Sequence, residues 1–299
     1  MFTAASLWIP FTLTAAVGQV ARNAMQRQLT GPLGTWGATN IRFLFGFPFS
    51  LIFFAIAAVS TGDTIPWPTA AFWPWLLLGA LCQIVGTGLM LLAMNERSFV
   101  VTTAYMKTEA IQTAVFGFVF LGDHLTTLRV IAILIATVGV VIAAFRPSGE
   151  NGFADLRPTV MGLASAASYA LSAIGFRGAI ITVPGVSFVT AASYTLVLGL
   201  FVQTLVLTIY LLARAPGVLR AILGLWRPSL LAGFIGAFAS QFWYLAFALT
   251  AAANVRTLAL VEVLFAQGVA YYSFKQPLAA RELAGIVLIV IGVALLVAV

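Results

Sequence analysis

The chain has 299 residues, 62% of them hydrophobic and only 8% charged, whereas about a quarter of the residues in a soluble domain are charged. The net charge of +7 comes from basic residues that stand singly at the ends of apolar runs, a pattern typical of membrane topology and not of a nucleic-acid-binding face. A single cysteine and a single histidine exclude an intrachain disulfide and argue against a structural metal site. We therefore predict an all-α integral membrane protein with no cofactor, no metal and no nucleic-acid partner.

Apolar segments follow one another along the chain, and about 20 such residues are enough for one membrane crossing. The first segment has no Lys or Arg before Arg22, which argues against a cleaved signal peptide. Polar or Gly- and Pro-containing breaks separate the segments. They lie at 27–32, 61–68, 95–98, 122–127, 146–158, 182–185, 214–228, 251–255 and 275–282. Nine breaks predict ten transmembrane helices, which we number segments 1 to 10.

The break at 146–158 resembles an interdomain linker and lies near the midpoint of the chain. A shift of 153 superposes residues 86–141 on residues 239–294 without a gap, and places Glu109 on Glu262. Because five helices per half is an odd number, the second half must enter the membrane in the opposite orientation. We predict two inverted five-helix repeats, residues 1–150 and 151–299, with a substrate site between them as in secondary transporters.

Loop charges predict the orientation in the membrane. The loops after odd-numbered segments carry ten basic residues and the loops after even-numbered segments carry three. The ten are Arg22, Arg27, Arg97, Arg146, Arg157, Arg214, Arg220, Arg227, Lys275 and Arg281, and the three are Arg129, Arg177 and Arg256. By the positive-inside rule the odd-numbered loops are cytoplasmic, so both termini are predicted to lie outside.

Segment 4, predicted at residues 99–121, contains MKTEAIQTAVF at 106–116, with Lys107 and Glu109 among apolar residues. A charged side chain near the centre of a membrane helix costs on the order of 3 kcal/mol, so we expect Glu109 to face a cavity or a partner. Lys107 lies about 200° around the helix from Glu109, so each needs another partner. The alternatives are a glutamate that only supports helix packing and a packed or snorkelling lysine.

Polar and aromatic stripes on the other segments predict the walls of a cavity with few fixed charges. Arg42 is expected to reach toward the nearer membrane interface, which leaves no arginine in register with these stripes. The alternative to a role in substrate binding is that each of these residues only forms hydrogen bonds or packing contacts between helices. The candidate substrate-binding or coupling residues are Gln19, Asn23, Trp36, Asn40, Tyr105, Lys107, Glu109, Gln112, Tyr169, Gln241, Tyr244 and Glu262.

Each half ends with a pattern that resembles the EamA type of the drug/metabolite transporter superfamily. LGDHLT at 121–126 is similar to its Leu-Gly-acid-x-Leu-Thr turn, and YLAFAL at 244–249 and GIVLIVIGVALL at 285–296 are similar to stretches near the end of the repeat. The second half departs from the pattern with KQPL at 275–278, and Ala110 and Val263 stand where the family often has proline.

The resemblance implies a ten-helix transporter. The aromatic-rich form is most similar to the bacterial aromatic amino acid exporters, which implies export of Phe, Tyr or Trp, and of Thr, across the bacterial inner membrane by alternating access. We expect no enzyme, because neither a phosphate-binding loop nor a Ser/His/Asp set is present in the sequence. The expected partners are amino acid substrates and the lipid bilayer, with protons as a candidate coupling ion through Glu109 and Glu262. The alternative is a proton-coupled multidrug or organic-cation exporter.

Overall fold

The computed structural model describes residues 6–96, 105–124, 126–144, 156–264 and 280–298, and every regular element in these ranges is helical. Three basic residues that were counted for the orientation lie outside these ranges: Arg97, Arg146 and Lys275. Most of the predicted breaks at 146–158 and 275–282 also lie outside them. The helices are α1 Trp8–Leu44, α2 Gly46–Thr61, α3 Phe72–Glu96, α4 Glu109–Phe116, α5 Thr127–Ala144, α6 Leu156–Ile181, α7 Phe188–Arg214, α8 Pro216–Gly224, α9 Trp226–Leu249, α10 Ala252–Leu258 and α11 Ala280–Val297. A π-helical turn, Gly117–Leu121, follows α4, and a 3-10 turn, Ala259–Val261, follows α10.

Five of the helical stretches are long and apolar enough to cross a membrane. They are Trp8–Thr61, Phe72–Met94, Val160–Ile181, Phe188–Arg214 and Trp226–Leu249, and the shorter apolar helices are Glu109–Leu121, Thr127–Ile142 and Leu283–Val297. Large apolar side chains are exposed along the outside, as at Val59 with 86% exposure, and such a surface requires lipid around it. The chain is a helical, multi-pass membrane protein.

The first long stretch bends sharply at Gly34, whose φ of 66° and ψ of 174° are accessible to glycine and strained for other residues. In a straight helix, residues 26 and 38 would lie about 18 Å apart. Instead, Gln26 Nε2 donates to the Ala38 carbonyl at 3.1 Å, so the chain folds back at Gly34. The predicted break at 27–32 is therefore too early: α1 remains helical through Pro32 and reverses at Gly34.

Helices of the first half pack along helices of the second half. α3 lies along α6, α1 along α9, α5 along α11 and α2 along α7. If the two predicted halves are exchanged, the α3–α6 pair takes the place of the α1–α9 pair and the reverse. The α5–α11 and α2–α7 pairs each take their own place. The contacts between the halves are therefore arranged as a two-fold relation would arrange them.

The α5–α11 contact is reciprocal at the level of single residues. A Cβ added at Gly139 would lie 2.7 Å from the Gly285 carbonyl oxygen, and one added at Gly292 would lie 2.7 Å from the Ala132 carbonyl oxygen. Gly139 and Gly292 are 153 positions apart, and so are Ala132 and Gly285. Both glycines are needed because the backbones of the two helices are in contact at these points.

Segment 4 is described only from Tyr105 onward and is not one regular helix. Residues 107 and 108 form a turn and α4 begins at Glu109, so the prediction that Glu109 lies near a helix centre is wrong. In the second half, the 3-10 turn at 259–261 precedes Glu262 in the same way. Each carboxylate therefore directly follows an irregular turn in its helical segment.

Two basic residues that were assigned to loops are, among those whose burial the structure describes, buried inside helices. Arg22 is buried within α1, where it donates to Asn23 of the same helix, and Arg256 is buried within α10, where it pairs with Glu109 of α4. The orientation prediction loses one residue from each side of its count and keeps its direction.

Candidate functional site

Two ion pairs between the halves form the centre of the bundle, and we call their four residues the central cluster. Arg256 Nε lies 2.9 Å from Glu109 Oε1, and the two side chains are 7% and 12% exposed. Lys107 pairs with Glu262. Each glutamate thus has a cation from the opposite half, as expected from the angle between Lys107 and Glu109. Pairing compensates the burial of all four charges.

Aromatic side chains support Arg256 from the second half. Its guanidinium lies 4.5 Å from the ring centroid of Trp243 and 5.3 Å from that of Phe247, within the range of cation–π attraction. Trp243 Nε1 donates to Gln19 Oε1 at 3.1 Å, which connects α9 to α1. The side chain that pairs with Glu109 is therefore held in one position.

A small cavity opens beside the central cluster, with about 20 Å³ of space. That volume holds about one water molecule. Its polar lining consists of Gln19 and the four residues of the central cluster, with Met106, Ala110, Ala259 and Leu260 as apolar walls. Of the predicted site residues, the structure brings Gln19, Lys107, Glu109 and Glu262 together here.

Two arginines lie next to this cavity, fully enclosed. Arg22 is 1% exposed and donates from Nε and Nη2 to Asn23 Oδ1 at 3.2 and 2.8 Å. Arg42 is 2% exposed, and its Nη1 donates to Thr87 Oγ1 at 3.2 Å. The prediction that Arg42 reaches a membrane interface is wrong, because a hydroxyl acceptor on α3 holds it inside. The expectation of an interior with few cations is wrong for the same reason.

Two of the predicted tyrosines line this enclosed region. The Tyr169 hydroxyl shares a 2.8 Å hydrogen bond with Thr87 Oγ1, which also accepts from Arg42. Tyr244 is 2% exposed and its ring lies 4.7 Å from that of Phe176, centroid to centroid. The hydroxyl groups of both tyrosines lie within electrostatic range of Arg42.

Other predicted site residues lie away from the cavity. Trp36 packs over Gly88 and edge-on against Tyr210, and Gln241 donates to Ser193 Oγ at 2.7 Å in a separate groove between α2, α7 and α9. These side chains fill space between helices.

Three further predicted residues also stand outside the cavity lining. Gln112 donates to Thr108 one turn back on its own segment at 3.1 Å, and Tyr105 packs where Gly162 leaves room for its ring. Asn40 is fully buried, and both polar atoms of its side chain lack a partner among the described residues. An unpaired buried amide is unfavourable unless a ligand or water completes it.

Polar contacts between the halves close one end of the bundle, where the loops after α2, α4 and α6 meet. Ser187 N–H donates to Asp63 Oδ2 at 2.9 Å, and hydrogen bonds from the side chains of Ser187 and Thr190 and from the Ser187 N–H hold the pKa of Asp63 below its usual range. Arg177 Nη2 lies 3.6 Å from Asp123 Oδ1, and its Nη1 donates to the Phe247 carbonyl at 2.7 Å.

Residues 6–145 match the EamA-like transporter family. The first half of the chain is an EamA-like domain. The match indicates a small-molecule transporter in the drug/metabolite transporter superfamily and a multi-pass membrane protein. Family members are transporters and not enzymes, which agrees with the expected class.

A crystal structure with 14% sequence identity superposes on 96% of this chain and 95% of its own chain, including the EamA-like domain, with a TM-score of 0.64. At that identity the likeness concerns the fold alone. The search against curated proteins found no match.

Within the described ranges, no group of three His, Cys, Asp or Glu residues could hold a metal ion. The sequence prediction named both glutamates and Lys107 but did not name Arg22, Arg42 and Arg256, which lie beside them. One signal for Arg22 was available: it follows Gln19 by three positions, on the same face of α1.

Proposed function

We propose that the chain is an exporter of small metabolites in the bacterial inner membrane, built from two inverted five-helix repeats. The bend at Gly34 divides the first long stretch into two crossings, which makes six with the other four long helices. The three shorter apolar helices and α10 with its 3-10 turn bring the number to ten. The reciprocal glycine contacts of α5 and α11 support the two-fold relation.

The observation that carries the proposal is the central cluster. Two glutamates 153 positions apart each pair with a cation of the other half, and each follows an interruption in its helix. Secondary transporters form midplane sites from interrupted helices at the interface between repeats. Ion pairs between repeats can break and re-form as one half rocks against the other, so they suit a protein that alternates between two closures.

Aromatic amino acids are the first candidate substrates. Trp243, Phe247, Tyr169 and Tyr244 surround the charged residues, and a ring stacked on such faces gains roughly 0.5 to 1.5 kcal/mol beyond area burial. The charged head group of an amino acid would meet the central cluster and the hydroxyl groups near it. Transport then needs no covalent step.

The proposal is tested by reconstituting the protein in liposomes and measuring uptake of labelled Phe, Trp, Glu and a lipophilic cation, with and without a pH gradient. We expect Phe and Trp to move faster than Glu, and E109Q and E262Q to reduce transport while R214Q, at an exposed helix end, does not. Equal rates for Trp and Glu would refute the aromatic specificity. Full activity of both glutamate variants would refute the role of the central cluster.

A proton-coupled exporter of organic cations is the second candidate, because two carboxylates lie within the bundle. Both are already paired with cations, which makes them poor sites for a further positive charge. Transport of the lipophilic cation that requires a pH gradient, without aromatic transport, would favour this function.

A further inference from the structure

Arg22 and Arg42 are buried cations for which the described residues provide no carboxylate at ion-pair distance. The three ion pairs in the described ranges involve Lys107, Arg256 and Arg177 and leave these two arginines out. A guanidinium cannot lose its proton at physiological pH, so it cannot escape the cost of burial by becoming neutral. Enclosed charges without a counter-charge are strongly unfavourable, and an anion in their midst would compensate them.

The two side chains converge although they come from opposite sides of the bend at Gly34. A Cβ added at Gly236 on α9 would lie 3.3 Å from Arg42 Cγ and 3.4 Å from Arg22 Cδ, so both stems cross the same glycine. The two guanidinium groups also lie within range of electrostatic repulsion. An arrangement that brings two guanidinium groups together is typical of a site for a carboxylate or phosphate group.

The hydrogen bonds of the pair are incomplete. Arg42 Nε has no partner among the described residues, and the bonds of Arg22 go to the amide oxygen of Asn23. The acceptors that the two guanidinium groups do have are therefore neutral oxygens. A carboxylate would supply two charged acceptors at once, and charge-assisted bonds are roughly twice as strong as neutral ones.

The pair is also connected to the central cavity. Gln19 lines that cavity, and Arg22 follows Gln19 by three positions on α1, so the two lie on one face one turn apart. Arg22 lies within electrostatic range of Glu109 and Arg256. The two arginines and the central cluster together contribute four positive and two negative charges. The region therefore carries an excess of positive charge.

We propose that Arg22 and Arg42 form an anion subsite that binds the carboxylate of the transported solute, so that the substrate is an organic acid whose ammonium group, where it has one, is dispensable. This deepens the proposed function and rests on it. The ion pairs of Glu109 and Glu262 support the second part, because each carboxylate already has a cation partner. The nearby rings of Tyr169 and Tyr244 favour an aromatic body on the acid.

The binding test uses the full chain in detergent and four probes: Phe, 3-phenylpropionate, 2-phenylethylamine and inorganic phosphate. Thermal shift and calorimetry measure affinity without requiring transport. We expect 3-phenylpropionate to bind within a few-fold of Phe, and 2-phenylethylamine and phosphate to bind much more weakly. R22Q and R42Q should each weaken carboxylate binding by about tenfold or more, since each removes charge-assisted hydrogen bonds. R27Q, an exposed arginine of the same helix, is the matched control.

The unliganded protein distinguishes a binding role from a structural one. Because each substitution removes an uncompensated buried charge, R22Q and R42Q should melt no lower than the parent chain in the absence of ligand. R42K keeps the charge without the planar fork and should bind the carboxylate with intermediate affinity. A large fall in the melting temperature of R22Q and R42Q would show that the arginines serve folding, and it would overturn the proposal. Tighter binding of 2-phenylethylamine than of 3-phenylpropionate would also overturn it. So would phosphate binding as tight as that of the acids.

Liposome transport with the same probes separates this inference from the proposed function. Carboxylates that bind through Arg22 and Arg42 but do not cross the membrane would refute the transport function and leave the subsite intact. Transport of aromatic amino acids that is unaffected in R22Q and R42Q would support the exporter and refute the subsite.

Discussion

Replacing Arg256 with Gln should destabilise the protein by about 3 to 5 kcal/mol, the usual cost of removing one partner of a buried ion pair. Arg256 Nε lies 2.9 Å from Glu109 Oε1, and the side chains are only 7% and 12% exposed. At this range and an effective dielectric constant of about 20, two unit charges attract by about 6 kcal/mol. The substitution also removes the cation over Trp243, which adds to the loss.

The assay is a double-mutant cycle on chemical unfolding in detergent. E109Q and R256Q should each destabilise the protein, whereas the double variant should recover a large part of the loss because no charge is left unpaired. R214Q, at the exposed end of α7, should change the free energy of unfolding by less than about 0.5 kcal/mol. The reasoning is refuted if R256Q is as stable as the parent chain, or if the losses of the two single variants simply add in the double variant.

Three further outcomes test other parts of the structure. G292A should destabilise the protein by about 1 to 3 kcal/mol on unfolding, since its Cβ would lie 2.6 Å from a backbone nitrogen of α5, whereas G217A, with nothing within 4 Å, should not. The pKa of Asp63 is held below its usual range, so its contact with Ser187 should persist as the pH falls from 7 to 5 and should weaken only in stronger acid. Hydrogen exchange of the Ser187 N–H measures this. After correction for the intrinsic exchange rate, the protection should be equal at pH 7 and pH 5. A periplasmic reporter fused after Val299 should be active, and a cytoplasmic one silent.

Helices could be predicted from the sequence because apolar length and polar breaks are local properties. The exact turn between segments 1 and 2 could not. Arg27 to Pro32 contains polar residues, a glycine and a proline, but the chain reverses at Gly34, where the backbone adopts a positive φ. Pro32 fits the last helical turn as well as a break, and only contacts such as that of Gln26 with Ala38 determine where the reversal falls.

The glutamates of the central cluster could be found because a shift of 153 superposes them and because intramembrane carboxylates are rare. Their partners were harder to identify. Lys107 and Glu109 are too far apart around a helix to pair, which predicts that each has a partner elsewhere but not which one. Arg256 has the sequence context of a loop cation beside a polar break, and its role follows only from the packing of α10 against α4.

The burial of Arg22 and Arg42 could not be predicted from the sequence. An arginine near the end of an apolar segment usually extends to the membrane interface, since its long stem allows the charge to reach water. It remains inside only where neighbouring helices leave space for the stem and provide acceptors for the guanidinium. Here Gly236 supplies the space for both stems, and Asn23 and Thr87 supply acceptors from α1 and α3. These conditions come from three helices far apart in sequence, so the burial of the two arginines is a property of the assembled bundle and not of the segments that carry them.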